Sequence, residues 1–204
     1  MYKLERLPYN YDALEPYIDT HTLGLHHNKH QQNYLNKLNA LLIKNNYDFK
    51  YSIEELAQNI DKMNFDNKED IMFNLGGVVN HNIYFKSMSP NKNMPNVILN
   101  DMVNRKFGNL DNFKKEFKEK ALSLKGSGYT FLVVDDNNNL DIINLSNQDS
   151  SYFHDLTPLI ALDMWEHAYY INYENKKDIY VDNFFDVLDF SQANNKILEL
   201  NLKK

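Results

Sequence analysis

The feature that most constrains this chain is the octet DMWEHAYY at residues 163–170, near the C-terminus. It places a carboxylate, Asp163, four residues before an imidazole, His167, a spacing that suits two ligands of one metal ion. Two more histidines with suitable surroundings, His26 and His81, lie far upstream. Three imidazoles and one carboxylate form a donor set that suits manganese or iron. A fold that uses all four must gather distant segments around one point.

Each of these histidines taken alone predicts little. A single histidine on an apolar helix face is more often a core residue whose ring nitrogens find hydrogen-bond partners, and for His26 alone the chance of a ligand is roughly one in five. The joint pattern changes this estimate. His26 and His81 fall on inward faces of two predicted helices, whereas Asp163 and His167 fall where a strand enters a helix, which is how a metal site forms in the core of a helical bundle.

The N-terminal half is predicted to be helical. A long helix is expected from about Thr22 to Lys44, capped by Asp19 or Thr20. Positions spaced by three and four predict one shared inward face: Leu23, His26, His30, Tyr34, Leu38 and Leu41.

Two more helices follow in this half. The segment Ser52-Ile53-Glu54-Glu55 is a capping box that begins a short helix. Another helix is expected from about Lys68 to Met88, and it contains Gly76 and Gly77. Paired glycines in mid-helix lower helix propensity, so we expect a backbone or a ligand to approach closely there.

The C-terminal half mixes helices with strands. Two amphipathic helices are predicted after Pro95, ending near Phe107 and Leu124, and a last helical region from about His167 to Leu202, with a loop around Glu174 to Lys177. Three strands are predicted between them, at residues 129–134, 140–145 and 159–163. The fold class is therefore α+β: an N-terminal antiparallel helical hairpin in a domain of residues 1–89, then an α/β domain of residues 90–204 with a small three-stranded antiparallel sheet.

Composition excludes several classes of function. The chain of 204 residues has no cysteine, so neither disulfides nor thiolate chemistry contribute. A net charge of −6 argues against a nucleic-acid partner. No apolar stretch is long enough to span a bilayer, and the first residues lack the apolar core of a signal peptide. We therefore expect no membrane partner and a cytoplasmic location.

The chain resembles the iron/manganese superoxide dismutases over nearly its whole length. Five segments, in the order in which that family has them, carry the resemblance: LPYNYDALEP at 7–16, HHNKHQQNY at 26–34, GGVVNH at 76–81, NQDS at 147–150 and the octet at 163–170. The octet is the most specific of the five.

This resemblance implies a reaction and a set of site residues. The expected ligands of one manganese ion per subunit, with iron as the alternative, are His26, His81, Asp163 and His167. The ion would cycle between M(III) and M(II) while superoxide is converted to dioxygen and hydrogen peroxide. Three further residues are implied in catalysis: Gln148 tunes the redox potential through hydrogen bonding, whereas His30 and Tyr34 line the substrate entrance and relay protons.

The resemblance also favours one metal and one assembly. Gly77 in the mid-helix pair, together with Gln148, follows the manganese-type pattern, because iron-type members usually place the glutamine on the helix. Glu166 and Tyr170 resemble the pair that bridges a homodimer, with Glu166 reaching the partner's His167 and Tyr170 reaching the partner's His30. Trp165 is expected to wall the metal pocket.

Several positions depart from the family pattern without touching a ligand. Phe85, Tyr129 and Phe131 stand where tryptophan is usual, and Ala161 stands where glycine is common. Lys177 replaces a usual arginine and keeps the charge but not the bidentate fork. One or both of Lys29 and Lys177 are nevertheless expected to border the path of the anionic substrate toward Tyr34.

Two other functions fit part of this pattern. A non-haem iron oxygenase needs two histidines and a carboxylate with open positions, but a fourth protein ligand weighs against it. A non-catalytic metal-binding protein on the same fold would need neither His30, Tyr34 nor Gln148.

Overall fold

The computed structural model describes residues 1–202, which form helices around one small sheet. The main helices are α1 (Thr20–Leu25), α2 (Gln32–Lys44), α3 (Ile53–Gln58), α4 (Lys68–Lys86), α5 (Val97–Phe107), α6 (Leu110–Ser123), α7 (Glu166–Tyr173), α8 (Lys177–Val187) and α9 (Ser191–Leu202). The strands are β1 (Gly128–Val134), β2 (Leu140–Ser146) and β3 (Thr157–Asp163). The predicted α+β class, with its three-stranded antiparallel sheet, is confirmed.

The first long helix is interrupted by a turn of π-helix. The Asp19 side chain accepts a hydrogen bond from the Thr22 backbone and begins α1, as predicted. Between α1 and α2, residues His26–Gln31 form a π-helix, a feature that often marks functional sites. The wider turn shifts the buried face that follows onto Gln31, Leu35, Leu38 and Leu42.

This shift corrects the prediction of one shared inward face. His30 is exposed and Tyr34 is only half-buried, although His26 is buried as expected. The prediction assumed regular spacing of 3.6 residues per turn, and the additional residue in the π-helical turn rotates everything after it.

Helix α4 crosses the middle of the molecule and is buried along most of its length. It packs against both α2 and β3. The paired glycines permit this close packing: a Cβ on Gly76 would lie 1.8 Å from the backbone oxygen of Gln148, and a Cβ on Gly77 would lie 2.5 Å from the Tyr34 ring. The predicted close approach at this pair is confirmed, and its partners are a loop backbone and an aromatic ring.

The sheet has the order β2-β1-β3, with β1 in the centre. Every residue of β1 is buried, which agrees with its continuous run of apolar and aromatic residues. Strand β3 pairs antiparallel with β1, and its last residue, Asp163, lies opposite Tyr129. The sheet therefore delivers Asp163 from the end of a buried strand, directly before α7.

The remaining elements begin and end close to their predicted bounds. The capping box of Ser52 and Glu55 is present at α3. The predicted C-terminal helical region is divided further, since α8 ends at Val187 and Ser191 begins α9. No helix within residues 1–202 is long and apolar enough to cross a membrane.

Candidate metal centre

Four side chains from three distant segments converge at the centre of the molecule. His26 lies at the start of the π-helical turn, His81 on α4, Asp163 at the end of β3 and His167 in the first turn of α7. One potential ligand atom of each residue lies within 4.8 Å of those of the other three. Three of the four residues are buried, and His167 retains a side-chain exposure of 12%.

The Asp163 carboxylate is oriented by its own chain. The Trp165 backbone amide donates to Oδ1 at 2.8 Å, which leaves Oδ2 facing the imidazoles. From Oδ2, the Nε2 atom of His26 lies at 3.1 Å, that of His167 at 3.5 Å and that of His81 at 3.7 Å. The Tyr180 hydroxyl donates to the Asp163 backbone oxygen at 2.8 Å and holds this end of the strand.

The imidazole nitrogens are arranged for metal binding. His81 Nδ1 donates to the Gly77 carbonyl, so the lone pair of His81 is on Nε2, on the side of the cluster. Within the described residues, Nε2 of His81 and Nε2 of His167 have no hydrogen-bond partner although both are buried. Buried polar atoms are nearly always satisfied. Two such atoms beside a carboxylate therefore fit a bound cation.

The protonation states agree with this fit. Burial lowers the pKa of His26 to about 4 and holds the pKa of His81 well below its usual range, so both rings are neutral near pH 7. Burial acts to raise the pKa of Asp163, but the His167 and His26 imidazoles outweigh it and lower that pKa strongly. A neutral nitrogen donor set with one carboxylate anion is the form that binds a transition metal.

Gln148 and Tyr34 meet beside this cluster. Gln148 is 1% exposed and donates from Nε2 to the Tyr34 hydroxyl at 3.1 Å. The Tyr34 ring centroid lies 5.7 Å from that of His81. Burial raises the pKa of Tyr34, so its hydroxyl stays protonated. Gln148 is therefore a buried residue beside the cluster, and not a turn residue that is exposed to solvent.

The outer side of the cluster is formed by aromatic rings. The His30 ring stacks on that of His167 with centroids 4.2 Å apart, and the Trp165 ring stacks on His167 at 5.6 Å. Trp165 is fixed by a hydrogen bond from Nε1 to the Asn147 carbonyl. Both rings cover the one cluster member that is not fully buried.

Comparison with known proteins agrees with this geometry over both halves of the chain. Residues 1–89 match the model of the iron/manganese superoxide dismutase alpha-hairpin domain, and residues 95–196 match that of the C-terminal domain. The chain belongs to the iron/manganese superoxide dismutases. It is therefore a metal-dependent oxidoreductase of that family, which uses manganese or iron.

Individual relatives support the same family. Proteins named superoxide dismutase [Mn/Fe] 2 from Staphylococcus aureus strains Mu50, N315 and MW2 are each 38% identical to this chain. In each case the match extends over 192 residues, which is 94% of this chain and 95% of the relative. Neither an oxygenase nor a non-catalytic metal-binding protein is favoured by these matches.

Some contacts of this cluster were not predicted from the sequence. Tyr180 was not singled out, and Tyr129 was noted only as a replacement for tryptophan, yet the hydroxyl of each lies against a member of the cluster. The remaining three histidines lie outside the cluster. His21 is exposed, His27 bonds to the Tyr11 hydroxyl and the Glu5 carbonyl, and His154 pairs with Asp149.

Proposed function

We propose that this chain dismutates superoxide at one manganese ion held by His26, His81, Asp163 and His167. The observation that carries the assignment is the convergence of these four donors, together with the two buried Nε2 atoms that lack a hydrogen-bond partner in the described residues. When bound, the ion supplies a one-electron couple between M(III) and M(II), so that two superoxide anions and two protons become dioxygen and hydrogen peroxide.

The protein's own contribution begins with the ligands. His26 Nε2 lies at hydrogen-bonding distance from Asp163 Oδ2, so a proton on this nitrogen must move to Nδ1 before Nε2 can act as a ligand. Because protons compete with the metal for the imidazole and carboxylate donors, metal affinity is expected to fall as the pH falls. The hydrogen bonds from Trp165 to the carboxylate and from His81 to Gly77 orient the donors before the metal binds.

Tyr34, Gln148 and His30 are proposed as the catalytic residues that surround the ion. Because Gln148 donates to the Tyr34 oxygen, the hydroxyl proton of Tyr34 is free to point elsewhere and to be donated toward a reduced oxygen species. The Gln148 carboxamide oxygen is buried without a partner in the described residues and is available to accept a hydrogen bond. We assign to Gln148 the tuning of the redox potential, and to His30 and Tyr34 the substrate entrance and proton relay.

We propose manganese over iron because of the residues that pack beside α4. Gly77 leaves room for the Tyr34 ring, and a side chain at this position would displace that ring. The glutamine that reaches Tyr34 comes instead from the loop after β2, as Gln148. This arrangement follows the manganese-type pattern, with iron as the alternative.

A homodimer is the proposed assembly, and we place the interface between its subunits at the outer side of the cluster. Tyr170 is 52% exposed and the next residue, Ile171, is 53% exposed, while Glu166 is also exposed on α7. An aromatic and an aliphatic side chain in solvent beside a catalytic cluster favour an interface there. We propose that Glu166 reaches the partner's His167 and that Tyr170 reaches the partner's His30, in an isologous arrangement.

The division into domains and the compartment also remain proposals. We propose a helical domain of residues 1–89 and an α/β domain of residues 90–204, supported by the break between α4 and α5. A cytoplasmic location is proposed because the absence of cysteine suits a reducing compartment. Fractionation of the source cells, with activity followed in each fraction, tests the compartment.

One experiment tests the proposed function directly. The protein is stripped of metal and reloaded separately with manganese and with iron, and each form is measured for bound metal and for the rate of superoxide decay. We expect one ion per chain in both forms and higher activity with manganese. Equal inactivity of two fully loaded forms would contradict the proposal, and higher activity with iron would contradict the choice of metal.

A further inference from the structure

Tyr129 is a buried polar residue to which the proposed mechanism gives no role. It lies on the central strand β1, directly opposite Asp163 on β3. Its side chain is fully buried, and its hydroxyl lies 3.2 Å from Nδ1 of His81. The side chain thus contacts one member of the cluster and is the cross-strand neighbour of another.

The direction of this hydrogen bond follows from the partners of His81. Nδ1 already donates to the Gly77 carbonyl, so it carries the ring proton. A neutral imidazole has only one ring proton. At this contact the Tyr129 oxygen is therefore the acceptor of a shared hydrogen bond from Nδ1, and its own proton is directed elsewhere.

The surroundings of the hydroxyl indicate where that proton points. The Asp163 side chain, the carboxylate of the cluster, interacts with this hydroxyl and is the acceptor toward which the phenol proton is directed. The Gln148 side chain also interacts with the Tyr129 hydroxyl.

We propose that Tyr129 is a positioning residue that fixes the tautomer and rotation of His81 and links that ring to the strand that carries Asp163. This inference rests on the proposed role of His81 as a metal ligand. A phenol can accept and donate hydrogen bonds, whereas the indole that is usual here in the resembling family can only donate. This chain thus gives the His81 ring a second acceptor that a tryptophan could not supply.

The test removes only the hydroxyl. The variants are Tyr129→Phe, His81→Ala and, as the control, Tyr152→Phe, which alters another buried tyrosine outside the cluster. For each protein, the Mn²⁺ dissociation constant is measured by competition with a chelator, and the electron paramagnetic resonance spectrum of the bound Mn²⁺ is recorded. The unfolding of each metal-free form is measured in parallel, so that a loss of packing is separated from a loss of positioning.

We expect Tyr129→Phe to weaken Mn²⁺ binding by about 10- to 100-fold and to change the spectrum, as is usual when an outer hydrogen-bond partner of a ligand is lost. Tyr152→Phe should bind as the wild type does. An unchanged affinity and spectrum for Tyr129→Phe, with His81→Ala defective, would overturn this inference alone. Normal binding by His81→Ala would overturn the proposed ligand set.

A second measurement needs no Tyr129 variant. In the metal-free wild type labelled with nitrogen-15, His81 should show a slowly exchanging proton on Nδ1, assigned by its disappearance in His81→Ala. Such a proton supports Tyr129 as the acceptor. An Nδ1 atom without a proton would make Tyr129 the donor and would overturn the inference even if Tyr129→Phe failed to fold.

Discussion

The inner and outer sides of the ligand cluster differ in how fully residues of one chain bury them. On the inner side, Asp163 and His81 are both 0% exposed and are held by contacts from the same chain. On the outer side, His167 is partly exposed and its neighbour His30 is exposed. The inner side is thus fixed by the fold of a single chain, whereas the outer side is partly exposed and is the surface at which we propose that a second subunit binds.

This difference has a physical basis in where the residues lie along the chain. The inner side is formed by a buried strand and a central helix, so that each buried polar group must find a partner nearby or bind a cation. The outer side is formed by the end of the π-helical turn and the first turn of α7, where His30 and Glu166 are exposed. Substitutions on the inner side should therefore change metal content and the free energy of unfolding. Substitutions on the outer side should change dimerisation and the rate of superoxide decay.

The largest effect is expected from removing the inner carboxylate. Asp163→Ala should abolish metal retention and activity, because it removes the only anionic donor of the cluster. Elemental analysis and superoxide decay measure this. Asp189→Ala, which changes another buried aspartate that bonds to backbone amides elsewhere, should lower stability but keep the metal. An Asp163→Ala variant with normal metal content would contradict the division of the cluster into an inner and an outer side.

A large loss of stability is expected from a substitution in α4, the helix that carries His81. Gly76→Ala should lower the free energy of unfolding by about 3 kcal/mol or more, because the new methyl would overlap the Gln148 backbone oxygen. Gly24→Ala in α1 is the matched control, since nothing lies within 4 Å of its added Cβ. It should be neutral or stabilising by about 0.5–1 kcal/mol. Denaturant unfolding measures the free energy of unfolding of both variants. Equal values for the two would show that the close approach at Gly76 does not contribute to stability.

Between the two sides lies Gln148, where activity and metal content should separate. Gln148→Ala should retain its ion but lose activity by about 10- to 100-fold, because Tyr34 and the metal surroundings lose a hydrogen-bonding partner. Gln31→Ala, which removes another buried glutamine outside the cluster, is the control. Complete metal loss from a folded Gln148→Ala would assign Gln148 to metal binding instead.

A smaller effect is expected on the outer side. Glu166→Ala should raise the dimer dissociation constant by about 10-fold or more, since losing a hydrogen bond to a charged group costs about 1.5–3 kcal/mol. Activity should fall together with dimerisation, as followed by analytical ultracentrifugation and superoxide decay over a dilution series. Glu119→Ala on α6 removes an exposed carboxylate elsewhere and should change neither. A fully active monomer at high dilution would show that one chain completes both sides.

The smallest effect is expected from substrate guidance. Lys177 is the first residue of α8, and its ammonium lies 5.6 Å from the centroid of the buried Tyr169 ring on α7. Lys177→Gln should lower the second-order rate by about two-fold at low salt and flatten its dependence on ionic strength, since screening acts over about 10 Å at 0.1 M. Lys115→Gln, on α6, is the matched control. Superimposable curves for wild type and Lys177→Gln would exclude a guiding role for this residue.

The sequence by itself determined the elements and the candidate ligands. Apolar periodicity, the Ser52 capping box and the β1 run are local signals, so the helices and strands lie close to their predicted bounds. The octet motif joined Asp163 to His167, and the resemblance added His26 and His81, which the structure brings to one point.

Only the tertiary structure decided how these donors are held. Neither the π-helical turn that leaves His30 exposed nor the Tyr129 hydroxyl opposite Asp163 has a local signal, because both depend on packing between distant segments. The role of the glycine pair is similar: its spacing predicted a close approach, but only the fold identified the Gln148 backbone as the partner of Gly76. Burial without an available water partner is a property of the whole molecule, and it makes these particular hydrogen bonds necessary.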